Sequence, residues 1–389
     1  MDLHLIPGAS PTADERDAVD ALIGPPRTAW EGRDRRDEIE GHVGHGGREA
    51  GLHRHLLLPA LHAVQSRAGF ISPGALNYIC QRLTVPPADA YGVATFYSML
   101  SVKPRPKTIV HVCDDLVCRI SGAGALCDTL TRRMGPAGEP ASDGRATWLT
   151  SPCLGMCDRA PAVMFQRAGL GVRDETFAPA DAELVIETVR GGAPPSPAPS
   201  GNTTGPRLLA RVGRVDPASL DDYRAHGGYV ALRRALALGP EGVIREVLDS
   251  KLMGRGGAAF PTGRKWEAVA KATVRPHYLV CNADESEPGT FKDRVLMEED
   301  PFAVVEAMTI AGFATGSEQG YIYIRGEYPR ALARIAGAVE QARRRGLLGD
   351  RVMGEEIRFD IEVRRGAGAY ICGEETALFN SIEGFRGDP

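Results

Sequence analysis

TIVHVCDDLVC (residues 108–118) and SPCLGMCDRAPAVM (residues 151–164) decide the architecture of the middle of this chain. In each, an apolar run borders a loop that carries two cysteines. Thr108–Val112 is β-branched around a single histidine, as suits a strand buried in a sheet, and it runs straight into Cys113. Thr147–Leu149 and Ala162–Phe165 read as two further strands, with helices expected near 121–132 and 180–190. Together they predict a compact α/β domain over residues 107–190.

The cysteine spacing points to chemistry. Cys113 and Cys118 are C-x4-C, and Cys153 and Cys157 are C-x3-C. Two short loops at strand ends can bring four thiolates to one soft metal centre, which favours an iron–sulfur cluster or zinc. Zinc pairs are more often C-x2-C. Leu116, Val117, Leu154 and Met156 would keep water from such a centre. On spacing alone a cluster, a structural zinc site and plain core cysteines all stay open. Cys80 and Cys127 fall in expected helices and read as core.

Outward from this domain the composition changes on both sides. Residues 1–48 are polar, charged and glycine-rich and read as a mobile tail. Its histidines and those just after it (His42, His45, His53, His55) read as solvated rather than metal-bound. Residues 49–106 predict a helical bundle. Leu58, Leu61 and Val64 lie at helical spacing. Ser72-Pro73 is an N-cap followed by proline at N1, and Leu76, Ile79, Cys80 and Leu83 form one apolar face. A helix after Pro86-Pro87 is expected to bury Tyr91, Val93, Phe96 and Tyr97.

On the other side, GGAPPSPAPSGNTTGP (191–206) has almost no apolar side chains and reads as a linker. Beyond it, over 207–389, helices (Tyr229–Leu238, Val243–Ser250, Pro301–Thr315, Pro329–Arg345) alternate with strands (Tyr278–Cys281, Tyr321–Ile324, Arg358–Val363). That alternation predicts an α/β layered domain. Bulk properties agree with a globular chain: 43% hydrophobic, 25% charged and a net charge of -4 over 389 residues. Nothing in them favours nucleic acid or a membrane surface, no apolar run is long enough to span a bilayer, and the N-terminus lacks the pattern of a secretory signal. A cytoplasmic location is expected, and metal-ligand or redox roles for clustered cysteines fit it.

Three segments of the last domain carry chemistry. SKLMGRGGAAFPTGRKW (250–266) formally contains G-x-G-x-x-A at Gly254, Gly256 and Ala259. A helix rather than a strand precedes it, so the dinucleotide fingerprint fails on context. Its glycines still let backbone N–H groups approach a phosphate or flat ring. Arg255, Arg264 and Lys265 add positive charge, and Phe260 offers an aromatic face. YLVCNADESEPGTFKDR (278–294) crowds Asn282, Asp284, Glu285, Ser286 and Glu287 at a strand end, where open α/β sheets bind ligands; a solvated acidic loop is the bland alternative. RRGAGAYICGEETALFNSIEG (364–384) sets Tyr370, Glu374 and Glu375 beside Gly366, Gly368 and Gly373.

The first part of the chain, through FISPGALNYIC, YGVATFYSML, VCDDLVC and SPCLGMCDRAPAVM, resembles the small 24-kDa-type subunit of NADH dehydrogenase. The three later segments resemble its flavin-carrying 51-kDa-type subunit. Such subunits are fused in the diaphorase modules of NAD-dependent formate dehydrogenases, NAD-reducing hydrogenases and complex I relatives. The resemblance implies a helical bundle, then a thioredoxin-like [2Fe–2S] ferredoxin domain, then the N-terminal α/β FMN-binding domain of the flavin subunit. It implies a [2Fe–2S] cluster on Cys113, Cys118, Cys153 and Cys157. It implies FMN lined by Gly254, Arg255, Gly256, Gly257, Lys265, Asn282, Asp284, Glu285, Ser286, Tyr370, Gly373 and Glu374. NAD(H) would be met by Phe260, Glu287 and Glu375, with no catalytic side chain in the hydride step. The implied partners are large iron–sulfur, molybdopterin, hydrogenase or complex I subunits, with no direct membrane insertion.

Two departures from the family pattern stand out. The family often has a second aromatic three residues after the Lys265 position; here it is Ala268, which weakens stacking on nicotinamide. The family also continues past residue 389 into further nucleotide and flavin contacts and a domain holding a [4Fe–4S] cluster, so the chain reads as the N-terminal part of a longer protein. The rival expectations are a non-catalytic [2Fe–2S] carrier or assembly piece and a zinc-stabilised interaction module.

Overall fold

The computed structural model describes residues 3–26, 52–193 and 207–389. The first element corrects the expectation of a mobile tail over 1–48. Helix α1 (Ala13–Ile23) opens on a capping box in which the Thr12 side chain accepts from the Glu15 N–H and Glu15 reaches back to Thr12 N. Such reciprocal capping satisfies two otherwise orphaned donors. Val19 is fully buried, and Asp20 accepts from the Tyr78 hydroxyl and pairs with Arg82. A short helix with one buried valine leaves little periodic signal, so its partners on another helix decide it. The remainder of the expected tail, with His42 and His45, lies outside the described residues.

Helices α2 (Leu57–Ala68), α3 (Pro73–Leu83) and α4 (Pro87–Phe96) form the bundle. Ser72 Oγ accepts from Ala75 N at 3.0 Å, and Leu76, Ile79, Cys80 and Leu83 are buried, as the pattern requires. The last helix differs in detail. Val93 and Tyr97, four residues apart on one face, are buried, whereas Tyr91 is 51% exposed. Tyr91 and Val93 lie two positions apart, roughly 200° around a helix, so one face cannot hold both.

The next domain contains strands β1 (Thr108–Cys113), β2 (Ala146–Ser151), β3 (Val163–Arg167) and β4 (Arg173–Phe177), with helices α5 (Gly124–Met134) and α6 (Ala182–Val189). The sheet order is β2-β1-β3-β4, β1 and β2 parallel, β3 antiparallel to both neighbours. The edge strand β4 has no sequence signal because RDETF is mostly polar. Tertiary contacts hold it: Asp174 pairs with Arg365 at 2.7 Å, and the Thr176 hydroxyl donates to the Glu327 carbonyl at 3.1 Å.

In the C-terminal domain, the two helices expected over 229–250 are both present within α7 (Val230–Asp249), which is broken where Gly239 (φ 73°, ψ 164°) leaves the helical conformation just before Pro240. Strands β5 (Tyr278–Ala283), β6 (Gln319–Ile324) and β7 (Asp360–Arg365) make a parallel three-stranded sheet in that order. Alternate residues on one face (Leu279, Cys281, Ala283, Ile322, Ile324, Ile361, Val363) share a core with helices Pro301–Thr315 and Pro329–Arg344. Across the sheet, Val280 and Tyr323 belong instead to the core of the bundle, together with Ala367, Cys372 and Leu378. The bundle is therefore the second helical layer of this sheet. No described helix is long and apolar enough to cross a membrane.

Candidate functional site

Cys113 ends β1, and Cys118 ends the short turn Leu116–Cys118. Asp115 ties the two cysteine loops: one carboxylate oxygen accepts from Leu116 N at 2.7 Å and the other from Cys153 N at 3.2 Å. Cys153 Sγ and Cys157 Sγ are 3.3 Å apart, and Cys113 hydrogen-bonds both Cys118 and Cys153. The four thiols predicted from spacing are thus brought together. Cys113, Cys118 and Cys153 are buried in an apolar shell with Met99, Ala123, Leu154, Met156, Ala162 and Met164. Cys80 and Cys127 are elsewhere, packed in the bundle core and against the ferredoxin-like core.

The donor set suits a polynuclear thiolate centre. The four linked thiols match two irons held by four cysteine ligands. Backbone N–H groups also point at sulfur, from Gly155 to Cys153 Sγ at 3.3 Å and from Gly289 to Cys157 Sγ at 3.2 Å. As free thiols, Cys113 is pushed up to about 11 chiefly by its bond to Cys118, whose own pKa that bond lowers. Burial lifts Cys157 to about 11, and Cys153 is raised by its bond to Cys113 and by burial. Metal loading must therefore displace protons.

The three glycine-rich and acidic segments are placed unequally. Asn282, at the C-terminal end of β5, donates to the Gly373 carbonyl at 2.8 Å, which joins the second segment to the third. Asp284 N donates to Asn282 Oδ1, and the Ser286 hydroxyl donates to Asp284 Oδ2 at 2.9 Å. Burial lifts the Asp284 carboxyl to about 7. Glu287, Tyr370 and Glu375 are exposed along this rim. Glu374 caps helix Glu375–Glu383 by accepting from Ala377 N at 2.9 Å, and these backbone N–H groups lower its pKa.

Glu285 points the other way. Its side chain is buried and accepts from Asp293 N and Arg294 N at the start of helix Lys292–Glu299. Gly366 and Gly368 also face away from the rim: their carbonyls accept from His62 Nε2, and from Ser98 N and Oγ, in the bundle. The first segment forms its own loop. Gly254 N donates to the Phe260 carbonyl at 2.9 Å, and Arg255, Gly256, Gly257, Phe260 and Lys265 are exposed. Nothing lies within 4 Å of a Cβ built on Gly256 or Gly257, so the backbone there is open to a flat or anionic group.

Sequence reasoning missed the residues that join the two halves. Arg325 is buried and donates to the carbonyls of Glu285 at 2.6 Å and Cys153 at 2.5 Å. Arg294 donates to the Gly155 carbonyl at 2.9 Å and to Asp158 at 2.7 Å. The available signal was Arg325-Gly326-Glu327 directly after an apolar strand, because charges at a parallel strand end tend to face ligands or neighbouring loops.

Comparison with known proteins follows the same division. Residues 48–188 match the family described as thioredoxin-like [2Fe-2S] ferredoxin, and residues 247–389 match the Nuo51 FMN-binding domain. The F subunit of NADH-quinone oxidoreductase from Aquifex aeolicus (strain VF5) is 50% identical over 187 residues, 48% of this chain and 44% of that protein. The alpha subunit of the NAD-reducing hydrogenase HoxS from Cupriavidus necator is 36% identical over 345 residues, 86% of this chain and 56% of that protein. A crystal structure of an NAD+-reducing [NiFe]-hydrogenase in the air-oxidized state superposes with a TM-score of 0.69 at 29% identity, covering 89% of this chain and 57% of that one. The chain thus spans about half the length of these relatives. With both halves matched and their order kept, the chain is a fused [2Fe–2S] ferredoxin and FMN-binding module, homologous to the F subunits of NADH-quinone oxidoreductases and the alpha subunits of NAD-reducing hydrogenases.

Proposed function

We propose that this module exchanges hydride with NAD(H) at an FMN and relays electrons to iron–sulfur centres, as the diaphorase part of a larger oxidoreductase. The observation that carries the reading is the direct contact between the halves: Gly289, in the second flavin segment, donates its N–H to Cys157 Sγ. An electron centre on Cys113, Cys118, Cys153 and Cys157 would abut the loop that borders the flavin site. When bound, FMN supplies the conversion between a two-electron hydride and single electrons.

The chain's own residues bind and orient. Gly254, Gly256 and Gly257 offer uncovered backbone, and Arg255 and Lys265 offer charge for a phosphate. Asn282, Asp284, Ser286, Tyr370, Gly373 and Glu374 line the rim at the end of β5. Glu285 acts by holding the Asp284–Gly289 loop onto helix Lys292–Glu299 rather than by facing the ligand. Phe260, Glu287 and Glu375 position the nicotinamide nucleotide, and no side chain serves as acid or base in the hydride step. A cytoplasmic location and partnership with large iron–sulfur, molybdopterin or hydrogenase subunits, as in NAD-dependent formate dehydrogenase or complex I, belong to the same proposal. A [4Fe–4S] centre is proposed only for a continuation of the chain.

The test is reconstitution of the full chain with iron, sulfide and FMN. Bound flavin absorbance, NADH-dependent reduction of an artificial acceptor and a reduced [2Fe–2S] EPR signal lost in Cys153→Ala are expected. The separate, exposed first segment favours a second reading, a [2Fe–2S] carrier without hydride chemistry. An EPR signal without bound flavin would select it, and zinc in place of iron and sulfide would sink both.

A further inference from the structure

Two arginines of the flavin-binding half enter the loop between Cys153 and Cys157, and hydride chemistry has no use for them. Arg325 is 3% exposed and bridges the carbonyls of Cys153 and Glu285, with Glu327 Oε1 at 2.9 Å as its ion pair. Arg294 is 1% exposed and holds the Gly155 carbonyl, Asp158 and Glu298. The loop has little freedom to leave them. Gly155 has φ 67°, and a Cβ there would lie 2.2 Å from the Tyr328 hydroxyl. The Gly289 N–H completes the contact at Cys157 Sγ.

We infer that Arg325 and Arg294 are positioning residues for the cluster, fixing its Cys153–Cys157 loop and raising its midpoint potential, so that the potential belongs to both domains together. This rests on the cluster assignment proposed above. Reduction adds one electron to a site that already carries net negative charge. A buried guanidinium nearby favours the reduced form, because low-dielectric surroundings screen it poorly. The hydrogen bonds of Arg325 and Arg294 to the Cys153 and Gly155 carbonyls hold the ligand loop in place beside those charges. Removing Arg325 also leaves Glu327 without its partner. The change is the loss of one positive charge, which leaves the Glu327 carboxylate uncompensated and disfavours the extra electron.

The test is an EPR-monitored redox titration of the full reconstituted chain. Arg325→Gln and Arg294→Gln are each expected to shift the reduction equilibrium about tenfold toward the oxidised cluster, ~59 mV lower for one electron. Arg325→Lys and Arg294→Lys are expected to recover most of the shift, which a purely packing role would not give. Should Arg325→Gln fail to hold a cluster, the Arg294 pair decides by the same comparison. Potentials unchanged in the glutamine variants, or lowered equally by lysine and glutamine, would overturn the inference. A wild-type chain with no [2Fe–2S] signal would instead overturn the cluster assignment.

Discussion

The Tyr97 hydroxyl donates to Ser381 Oγ at 2.7 Å, joining the end of the helical bundle to the last helix of the flavin-binding domain. The Tyr323 hydroxyl meets the same Ser381 oxygen at 2.9 Å from the central strand of the sheet. All three side chains are buried. A hydrogen bond in such a place contributes about 1 kcal/mol net. Tyr97→Phe is therefore expected to cost about that much in urea unfolding. Because bundle and sheet share one core, they are expected to unfold in a single transition whether followed by helix content or by tyrosine fluorescence. Two separate transitions would contradict the shared layer.

Gly155→Ala tests the seam between cluster loop and flavin domain. Its Cβ would collide with the Tyr328 ring in a left-handed backbone conformation, and overpacking with backbone strain together cost about 3 kcal/mol. Gly122→Ala is the control: φ is 100°, yet nothing lies within 4 Å of its Cβ. The control is expected to lose only the strain component, about 1 kcal/mol. Equal losses in chemical denaturation would argue against a packed seam.

His62 gives the fold an acid limit. It is partly buried between the domains with Nε2 on the Gly366 carbonyl at 3.1 Å, and burial with the nearby Arg365 charge pulls it from 6.5 to about 3. Between those values the unfolded chain binds more protons than the folded one. Stability is therefore full above the unfolded pKa and falls as pH falls. Over roughly 1.5 pH units below 6.5 this amounts to about 2 kcal/mol. His111, lowered to about 4 chiefly by burial, adds a loss of the same sign. His62→Gln keeps a donor for Gly366 and is expected to lessen the acid loss by about 2 kcal/mol, read from denaturant midpoints at neutral and mildly acidic pH.

Phe260 is 52% exposed at the tip of the first segment. If it stacks on nicotinamide, Phe260→Ala removes a contact worth about 0.5–1.5 kcal/mol. About two- to tenfold weaker NADH affinity is expected, with flavin absorbance unchanged. Joint loss of flavin and NADH binding would assign the loop to flavin retention instead.

Much of this protein is legible from local pattern. Strand ends carrying cysteines at C-x4-C and C-x3-C, a Ser72-Pro73 helix start, and helix–strand alternation after residue 207 depend on near neighbours, whose periodicity survives in one dimension. The four cysteines could be grouped because each pair already sits in one short loop. What depends on distant partners was not legible. Polar β4 is a strand because Asp174 and Thr176 meet Arg365 and Glu327. The Ala13–Ile23 helix is anchored by Arg82 and Tyr78. Glu285 reads as a ligand residue in an acidic run, yet its carboxylate caps a helix start eight residues on. A bundle that looks like a domain of its own is a layer on the sheet of another. Sequence determined which residues can form the site; burial and charge pairing across the domain seam, above all at Arg325 and Arg294, decided how the cluster loop is held against the flavin loop.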